Sequence, residues 1–381
     1  MPNLLYITNI AGKRMSYNFS GSAIEAAKAL DMEFYSAANR AKSTSEEIRE
    51  DEEKYGVHLL HIDLARSPFS KQNRMAYKQL CQIIRENKID VIHCNTPVGG
   101  ILGRLAGKKC GVKRVIYQVH GFHFYKGAPK KNWMIYYPVE KWLAHYTDTL
   151  ITINTEDYAF AKKKMKLRKG GKICFVPGVG IDTAQFSFNR DVLRNEKRAE
   201  LGIKDDAFLL ISAGELNTNK NNSVILSAMQ RLSNPKIHYV LCGVGDQKEV
   251  LQKQADDAGL HDNVHFLGYR TDVKELYQAS DCFVMPSFRE GLSRSIMEAM
   301  ASGLPCVVSK IRGNVDLVDH EKGGYTCLPT DTEAFADAIG SLADNKILQT
   351  EMKAHNLEKI KEYEFSVVKG ELEAIYREIL K

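Results

Sequence analysis

Residues 282–309, CFVMPSFREGLSRSIMEAMASGLPCVVS, contain the pattern that decides the fold. An apolar run ends at Pro286, a turn passes through Gly291, and a helical segment closes at Gly303 before a second apolar run begins at Pro305. Two short apolar runs joined through one helix are typical of a βαβ unit, whose parallel strands are covered on both faces. The stretch therefore predicts an α/β domain with a parallel sheet.

The same alternation extends outward through the chain. It predicts strands at residues 208–214, 238–243 and 264–268 in the second half, and at residues 4–7, 57–62, 90–94 and 114–119 in the first. A turn-rich stretch at residues 177–182 interrupts it. We therefore predict two Rossmann-like, doubly wound domains that face a cleft, residues 1–183 and residues 184–364. The amphipathic helix predicted at residues 365–381 either closes the second domain or packs back on the first.

Two charged stretches look unlike the rest of the chain. Residues 43–54 are predicted to be a mobile connection, and residues 188–198 a polar linker. Both predictions rest on composition alone.

The composition excludes several classes of protein. With 381 residues, 44% hydrophobic and 26% charged, the chain can bury a large core and is not disordered. It has no run of 18 apolar residues for a conventional spanning helix, and it starts in a strand-like run without a basic leader, so we expect a cytoplasmic protein. The eight cysteines lie singly without a Cys-x-x-Cys pair, which favours reduced core cysteines over a structural zinc site.

Positive charge is concentrated in one segment. The net charge is +6, yet residues 101–172 hold 16 Lys and Arg against 4 Asp and Glu. A membrane and acceptor face is predicted from the basic and aromatic residues of this segment: Trp133, Trp142, Lys162, Lys163, Lys164, Lys166 and Arg168. Cations beside amphipathic rings suit an anionic membrane surface. The alternative is a solvated lysine-rich helix with ordinary core aromatics, and nucleic-acid binding is not expected because no recognition module is present.

Two carboxylates flank the start of the helix in the opening stretch. Glu290 lies in the turn and Glu298 eight residues later, inside the helix. Backbone N–H groups at a helix start bind anions such as phosphate, and ionised carboxylates accept hydrogen bonds from sugar hydroxyls. The alternative is a capping box between Ser295 and Glu298.

An ordered set of motifs resembles a known family. Residues 290–305, EGLSRSIMEAMASGLP, are similar to the signature of the retaining glycosyltransferases of family 4, which have the GT-B fold. Further matching segments are residues 176–182 (VPGVGID), 214–220 (GELNTNK), 242–246 (CGVGD) and 264–270 (VHFLGYR). Residues 119–124 (VHGFHF) and 153–158 (INTEDY) resemble the exopolysaccharide and capsule branch, which includes EpsD-like enzymes.

The resemblance implies roles for both domains. The first would bind the acceptor and the second a UDP-sugar, with Glu290, Lys220 and His120 as catalytic residues. Glu290 would hold donor-sugar hydroxyls, and Lys220 would neutralise the departing diphosphate. The implied donor-binding residues are Gly214, Glu215, Gly291, Leu292, Ser293, Arg294 and Glu298, the last of these at the nucleotide ribose. No metal or other cofactor is expected, because the chain has no Asp-x-Asp.

Two positions depart from the family pattern. The family usually has arginine at the position of Glu215 and often proline at that of Ser293. A carboxylate at position 215 would repel the diphosphate, and Arg294 and Lys310 are candidates for the missing charge, each with the alternative of being an ordinary surface residue. His120 likewise has the alternative of a packed structural histidine, and metal binding together with His123 lacks a third ligand at suitable spacing.

The sequence thus predicts a retaining glycosyltransferase without a metal requirement. It would move a sugar, expected to be N-acetylhexosamine, from a UDP-sugar to a polyprenyl-diphosphate-linked acceptor in surface polysaccharide biosynthesis. We expect it to work as a peripheral protein at the inner face of the cell membrane. Two alternatives stay open: a UDP-sugar epimerase of the same architecture, and a non-catalytic nucleotide-sugar-binding assembly protein, which Glu215 favours.

Overall fold

The computed structural model describes residues 1–9, 12–186 and 190–381, together with the backbone but not the side chains of residues 190 and 191. The described residues divide into two compact units. The first contains residues 1–180 and 365–381, and the second contains residues 181–364.

Each unit has its own parallel sheet. Within the described residues the first sheet consists of β1 (Asn3–Ile7), β2 (Glu33–Ala38), β3 (His58–His61), β4 (Val91–Asn95), β5 (Arg114–Val119), β6 (Thr149–Thr152) and β7 (Lys172–Phe175). The second consists of β8 (Phe208–Ala213), β9 (Ile237–Cys242), β10 (Val264–Gly268), β11 (Cys282–Met285), β12 (Cys306–Ser309) and β13 (Gly324–Cys327). The strand orders are β3-β2-β1-β4-β5-β6-β7 and β10-β9-β8-β11-β12-β13, with every neighbouring pair parallel.

Helices connect the strands in both units. Those up to residue 201 are α1 (Tyr17–Lys28), α2 (Ser45–Tyr55), α3 (Gln72–Glu86), α4 (Pro97–Cys110), α5 (Lys130–Ala144), α6 (Thr155–Lys164) and α7 (Arg190–Leu201). The later helices are α8 (Ser223–Leu232), α9 (Lys248–Asp257), α10 (Val273–Ala279), α11 (Arg294–Ala301), α12 (Asn314–Leu317), α13 (Thr332–Ala343), α14 (Lys346–Lys359) and α15 (Phe365–Ile379). Short 3₁₀ helices occupy Thr183–Phe186, Thr218–Lys220 and Ile360–Tyr363. The prediction of two Rossmann-like α/β domains is confirmed.

The apolar strands are buried on both faces. In β1, Leu4 and Tyr6 pack in the core on one face of the sheet, whereas Leu5 and Ile7 pack in the core on the other. Because successive side chains of a strand point to opposite faces, a strand covered on both sides reads as a continuous apolar run. This is why the alternation of apolar runs and helices identified a parallel sheet.

The strand order reverses once in each sheet. The chain leaves β1 toward β2 on one side and returns to β4 on the other, and the second unit repeats this arrangement at β8 and β11. Loops that leave adjacent strands in opposite directions open a crevice at the carboxyl ends of the strands, where ligands bind in doubly wound folds. The reversal points therefore locate the candidate sites.

The C-terminal helix belongs to the first unit. Helix α15 packs against α1 and buries Val368, Leu372 and Tyr376. The Tyr376 hydroxyl lies 2.6 Å from Nδ1 of His93, a fully buried residue of β4. Of the two positions that the sequence left open for this helix, the structure shows the one on the first domain.

Both charged stretches contain helices, so the predictions of a mobile connection and a linker are wrong. Helix α2 begins with a capping box between Thr44 and Glu47, a motif that is readable in the sequence. The Arg198 side chain in α7 is fully buried and donates to the Asp281 carboxylate at 2.6 Å, so α7 is fixed to the second unit. The earlier part of the predicted linker, residues 188–189, lies outside the described residues.

Candidate functional site

The candidate site of the second unit lies at the reversal between β8 and β11. The loop after β8 contains residues 214–222, and the loop after β11 contains residues 286–293. Since these loops leave neighbouring strands at the same sheet edge, their polar side chains meet there.

Lys220 and Glu290 meet across these two loops. Nζ of Lys220 lies 2.8 Å from Oε1 of Glu290, and the two side chains are only 20% and 16% exposed. The structure thus brings together two of the three predicted catalytic residues. An ammonium beside a carboxylate gives the site a donor for anionic oxygens and an acceptor for hydroxyl groups.

Asparagine side chains hold the two loops together. Nδ2 of Asn219 donates to the Arg289 carbonyl at 3.0 Å, and the amide of Phe288 donates to the Asn219 carbonyl at 2.8 Å. Asn221 adopts a left-handed conformation, with φ of 54°, and donates to the Pro286 carbonyl at 3.0 Å. These bonds position Lys220 against Glu290, because they join the loops on either side of the ion pair.

A buried polar network lies beneath the loops. The Ser212 hydroxyl at the end of β8 donates to the Val284 carbonyl of β11 at 2.6 Å and lies 2.7 Å from the Tyr239 hydroxyl of β9. Tyr239 in turn donates to Oδ1 of Asn222 at 3.0 Å. Buried networks of this kind rigidify their surroundings when each member is satisfied, so three strands support the loop that carries Lys220.

Two glycines allow the loops after β8 and β9 to touch through their backbones. A Cβ on Gly243 would lie 1.8 Å from the Gly214 carbonyl oxygen, and one on Gly245 would lie 2.0 Å from the Leu216 carbonyl oxygen. A side chain fits at neither position. This contact explains why the sequence has glycine at two places in the 242–246 segment.

Helix α11 places Glu298 beside two donors. Nε of Arg294 donates to Oε1 of Glu298 at 2.9 Å, and the Tyr277 hydroxyl donates to Oε2 at 3.4 Å. Burial and the nearby Glu298 carboxylate raise the pKa of Tyr277, so its hydroxyl remains a donor. The helix begins with Ser293 at the N-cap, which makes Ile296 its third residue. The alternative of a capping box between Ser295 and Glu298 is therefore wrong.

Arg312 is a candidate site residue that sequence reasoning missed. Its side chain is 6% exposed, and its Nε donates to the backbone carbonyl of Glu290 at 3.3 Å. A Cβ on Gly313 would lie 2.2 Å from the Gly291 carbonyl oxygen, so the segment after β12 packs directly on the turn before α11. No local motif marks Arg312, because its proximity to Glu290 depends on the packing of two loops.

Glu215 and the two candidates for the missing positive charge, Arg294 and Lys310, have different surroundings. Glu215 is exposed and accepts a hydrogen bond from Nδ2 of Asn217 at 3.1 Å. Arg294 is paired with Glu298, and Lys310 is exposed after β12. The remaining predicted donor-binding residues, Gly214, Gly291, Leu292 and Ser293, lie in the two loops of the site, with the Ser293 side chain buried.

His120 lies at the carboxyl end of β5 in the first unit. Its Nε2 is 3.0 Å from Oδ1 of Asn95, and its ring packs on Phe19 at 4.8 Å between centroids. An amide oxygen only accepts, so His120 donates through Nε2. Burial lowers the pKa of His120 to about 4, which keeps the ring neutral near pH 7. His123 packs against Tyr136, and among the described residues no three His, Cys, Asp or Glu side chains are grouped as metal ligands.

A cavity of about 380 Å³ opens beside His120. We call it the α5 cavity, because helix α5 forms one wall. Its lining includes Val98, Ile101, Phe124, Ile135, Val139 and Glu140. Sequence reasoning did not find this cavity, whose lining comes from segments between residues 66 and 140.

The predicted membrane face is divided in the structure. Trp133 is partly buried and packs on Phe124, Tyr137 and Phe160, whereas Trp142 is 52% exposed. Lysines 162, 163 and 164 are exposed in the last turn of α6, where positive charge also stabilises a helix end. Lys166 is exposed, and Arg168 pairs with Asp148 at 3.0 Å. No helix in the described ranges combines the length and apolarity needed to cross a membrane.

Comparisons with known proteins relate both halves of the chain to glycosyltransferases. Residues 194–359 match the family model "Glycosyl transferases group 1", and residues 41–154 match "Glycosyl transferase 4-like". The chain is 40% identical over 286 residues to the putative glycosyltransferase EpsD of Bacillus subtilis, covering 74% of each chain. It is 32% identical over 276 residues to UDP-Gal:alpha-D-GlcNAc-diphosphoundecaprenol alpha-1,3-galactosyltransferase of Escherichia coli, covering 71% of this chain and 70% of that enzyme.

The fold also resembles that of solved structures. HepE of Anabaena in complex with UDP and glucose superposes with a TM-score of 0.80 at 18% identity, over 99% of this chain and 100% of that one. Sucrose-phosphate synthase of Thermosynechococcus elongatus superposes with a TM-score of 0.79 at 16% identity, over 100% of this chain and 99% of that one. At such low identity, the likeness concerns the fold.

Proposed function

The chain belongs to the group 1 glycosyl transferases, a GT4-type family of GT-B glycosyltransferases, and we propose that it transfers a sugar from a UDP-sugar to a polyprenyl-diphosphate-linked acceptor with retention of configuration. The contact between Lys220 and Glu290 carries the proposal. It puts a cation and a hydroxyl acceptor at the strand reversal, where doubly wound sheets bind their ligands.

On the donor side, Lys220 would stabilise the leaving group. As the bond between the anomeric carbon and UDP breaks, negative charge grows on the diphosphate, and a preorganised ammonium favours that charge. An ammonium has three N–H donors; one is directed at Glu290 and a second makes a weak contact with Sδ of Met285, leaving one for the diphosphate. The start of α11 adds its partial positive charge.

Retention would follow from attack on the same face. The acceptor oxygen forms its bond to the anomeric carbon on the side from which UDP departs, and the proton of the acceptor hydroxyl passes to the departing diphosphate. No side chain in the matched motifs stands out as a nucleophile, which supports this route over a covalent intermediate. In the first unit, the single N–H of neutral His120 is on Nε2 and is directed at Asn95, so Nδ1 would accept a hydrogen bond from a substrate hydroxyl.

Lys220 and Arg312 support a reaction without a metal requirement. Both contact Glu290, Lys220 through its carboxylate and Arg312 through its backbone carbonyl, so two cationic side chains lie beside this residue and would face the diphosphate. Arg312 would thereby supply the charge that the family obtains from arginine at position 215. Transfer should then continue at full rate in EDTA.

N-acetylhexosamine is the sugar that we propose, and galactose is the rival. The Escherichia coli relative is named for UDP-Gal and for an acceptor that carries GlcNAc on diphosphoundecaprenol. A comparison of UDP-GlcNAc, UDP-GalNAc and UDP-Gal under identical conditions would decide between them.

The direct test is a transfer assay with the purified full chain. Each UDP-sugar is incubated with GlcNAc-diphosphoundecaprenol, and the anomeric configuration of the product is read by NMR. An α-linked product from an α-configured donor is expected. Conversion of the UDP-sugar without an acceptor would instead identify an epimerase, and donor binding with neither transfer nor UDP release would identify a binding protein.

Membrane association is the remaining part of the proposal. A lipid-linked acceptor requires the enzyme to reach the membrane surface, which we propose is the inner face of the cell membrane. The exposed lysines of α6 and the exposed Trp142 of α5 support peripheral binding to anionic lipids.

A further inference from the structure

The α5 cavity has a largely apolar interior, and the carboxylate that contributes to its lining is paired. Glu140, which contributes to the lining, is bound to Arg104 at 2.8 Å and accepts from the Tyr117 hydroxyl at 3.2 Å. The Arg104 guanidinium is 1% exposed and stacks 3.9 Å above the Tyr117 ring. Because the carboxylate is compensated from within the protein, the cavity needs no cation from a ligand.

The cavity mouth exposes large apolar side chains. Phe69, Ile135 and Val139 all line it, and they are 87%, 52% and 38% exposed. Met134, next along α5, is 76% exposed. Contiguous exposed apolar groups around a concave opening are typical of a surface that an apolar partner covers. The α5 cavity has a volume of about 380 Å³, which is within the range of small-molecule sites.

The rim of the cavity is basic. Arg66 contributes to the lining, is exposed, and forms no ion pair among the described residues. A second, open groove of about 850 Å³ shares Pro68 and Phe69 with the cavity. Its lining includes Lys71, which directly precedes α3, and Arg74 and Lys78 within α3. An apolar interior with a cationic rim is complementary to a molecule with an apolar chain and an anionic head.

We propose that the α5 cavity binds the polyprenyl chain of the acceptor next to its diphosphate, and that Arg66 contacts this diphosphate. The inference rests on the proposed function, since it assumes a lipid-linked acceptor. The polyprenyl segment replaces water at Phe69, Ile135 and Val139. The glycan of the acceptor then lies near His120, which lines the same cavity. The site would select acceptors by their lipid as well as by their sugar.

The proposal can be tested by binding, without turnover. The full chain is titrated with farnesyl diphosphate and with inorganic diphosphate in a calorimeter. We expect farnesyl diphosphate to bind at least tenfold more tightly, and Arg66→Ala to weaken both ligands. Equal affinity for the two ligands would overturn the proposal, because the cavity would then contribute nothing.

A matched pair of variants tests whether the polyprenyl chain lies in the α5 cavity. Val139→Asp puts a charge at the cavity mouth and should weaken farnesyl diphosphate at least tenfold, whereas Val250→Asp, at a 59% exposed valine on α9, should leave it unchanged. Wild-type affinity in Val139→Asp would contradict the proposal. Equal binding of dodecyl diphosphate would contradict the polyprenyl assignment and favour an acyl lipid.

UDP titration of the same samples separates this inference from the proposed function. Val139→Asp should bind UDP as the wild type does, because the proposed UDP site lies in the second unit, and an unchanged thermal unfolding curve would show that the first unit is folded. If sugar transfer occurs but farnesyl diphosphate does not bind, the cavity assignment alone fails. If farnesyl diphosphate binds in a Val139-dependent way but no UDP-sugar is bound or consumed, the cavity assignment stands and the glycosyltransferase proposal fails.

Discussion

Nζ of Lys220 lies 2.8 Å from Oε1 of Glu290, although 70 positions separate the two residues in the chain. One follows β8 and the other follows β11, so the ion pair spans the point where the strand order of the second sheet reverses. The pairing makes each residue a determinant of the other's position, and both should matter for the same chemical step.

Replacement of either partner should therefore reduce turnover with little effect on folding. We expect Lys220→Ala and Glu290→Gln each to lower kcat on the order of 10²-fold to 10³-fold, the usual effect of removing one group that stabilises transition-state charge. Initial rates of UDP release in the presence of acceptor measure this. The lysine control is Lys236→Ala, which removes an exposed partner of Asp206 at the same 2.8 Å distance and should retain full activity. Wild-type rates in both site variants would exclude the assignment.

Arg312 should contribute charge rather than only packing. We expect Arg312→Gln to lower kcat more than tenfold, and Arg312→Lys to recover part of this loss because it keeps the cation. Arg231→Gln, at an exposed arginine paired with Glu333, is the control in the same unit. If the Lys and Gln variants at position 312 were equally impaired in kcat, the positive charge would not be the relevant property, and Arg312 would be a packing residue for the Glu290 turn.

Gly243 should be required for the site to assemble. In Gly243→Ala the Cβ would meet the Gly214 carbonyl oxygen at 1.8 Å, so the two loops must separate. We expect a loss of unfolding free energy of at least 2 to 3 kcal/mol, roughly the cost of overpacking plus the left-handed backbone. Gly259 has a φ of 70° and open space around the position of a Cβ, so Gly259→Ala should lose only about 1 to 2 kcal/mol of unfolding free energy. Equal losses in the two variants would show that the loops do not touch.

The exposed lysines of α6 should govern binding to anionic vesicles. Substitution of lysines 162, 163 and 164 by glutamine should remove roughly 1 kcal/mol of membrane-binding free energy per cation. For three cations this corresponds to about a 100-fold lower partition coefficient. Sedimentation with vesicles of phosphatidylglycerol and phosphatidylcholine measures it. The matched control replaces Lys204, Lys248 and Lys322, three exposed lysines of the second unit. Equal losses in both triple variants would mean that net charge matters and α6 does not.

The two α/β units could be predicted because each of their strands has a local sequence pattern. A strand such as β1, buried on both faces, must be apolar along its length, and this leaves a short run in the sequence. Glu290 was singled out by its place before a helix start, and its catalytic role and that of Lys220 were predicted from a family resemblance. Their contact was not, because it depends on how two loops leave neighbouring strands.

Other features depend on contacts that no local pattern contains. The apolar stripe of α15 indicates that the helix packs, yet its partner is decided by residues such as His93, which lies 283 positions from Tyr376. The α5 cavity is lined from residue 66 to residue 140, and Arg312 reaches Glu290 only through loop packing. The capping box of α2 was readable, and composition was the wrong guide there.

Acid should destabilise the first unit through two of its histidines, the buried His93 and the half-buried His120. Burial lowers the pKa of His93 to about 3 and that of His120 to about 4, both below the ordinary value of 6.5. Between these folded values and pH 6.5 the unfolded chain binds protons that the folded chain does not, so stability is full above pH 6.5 and falls as the pH decreases. From pH 6.5 to pH 5 each histidine should cost about 2 kcal/mol, measured as a lower Tm. His93→Gln should reduce this dependence, whereas His261→Gln, at an exposed histidine, should not. An unchanged pH dependence in His93→Gln would show that the neutral ring beside Tyr376 does not control the acid stability of this unit.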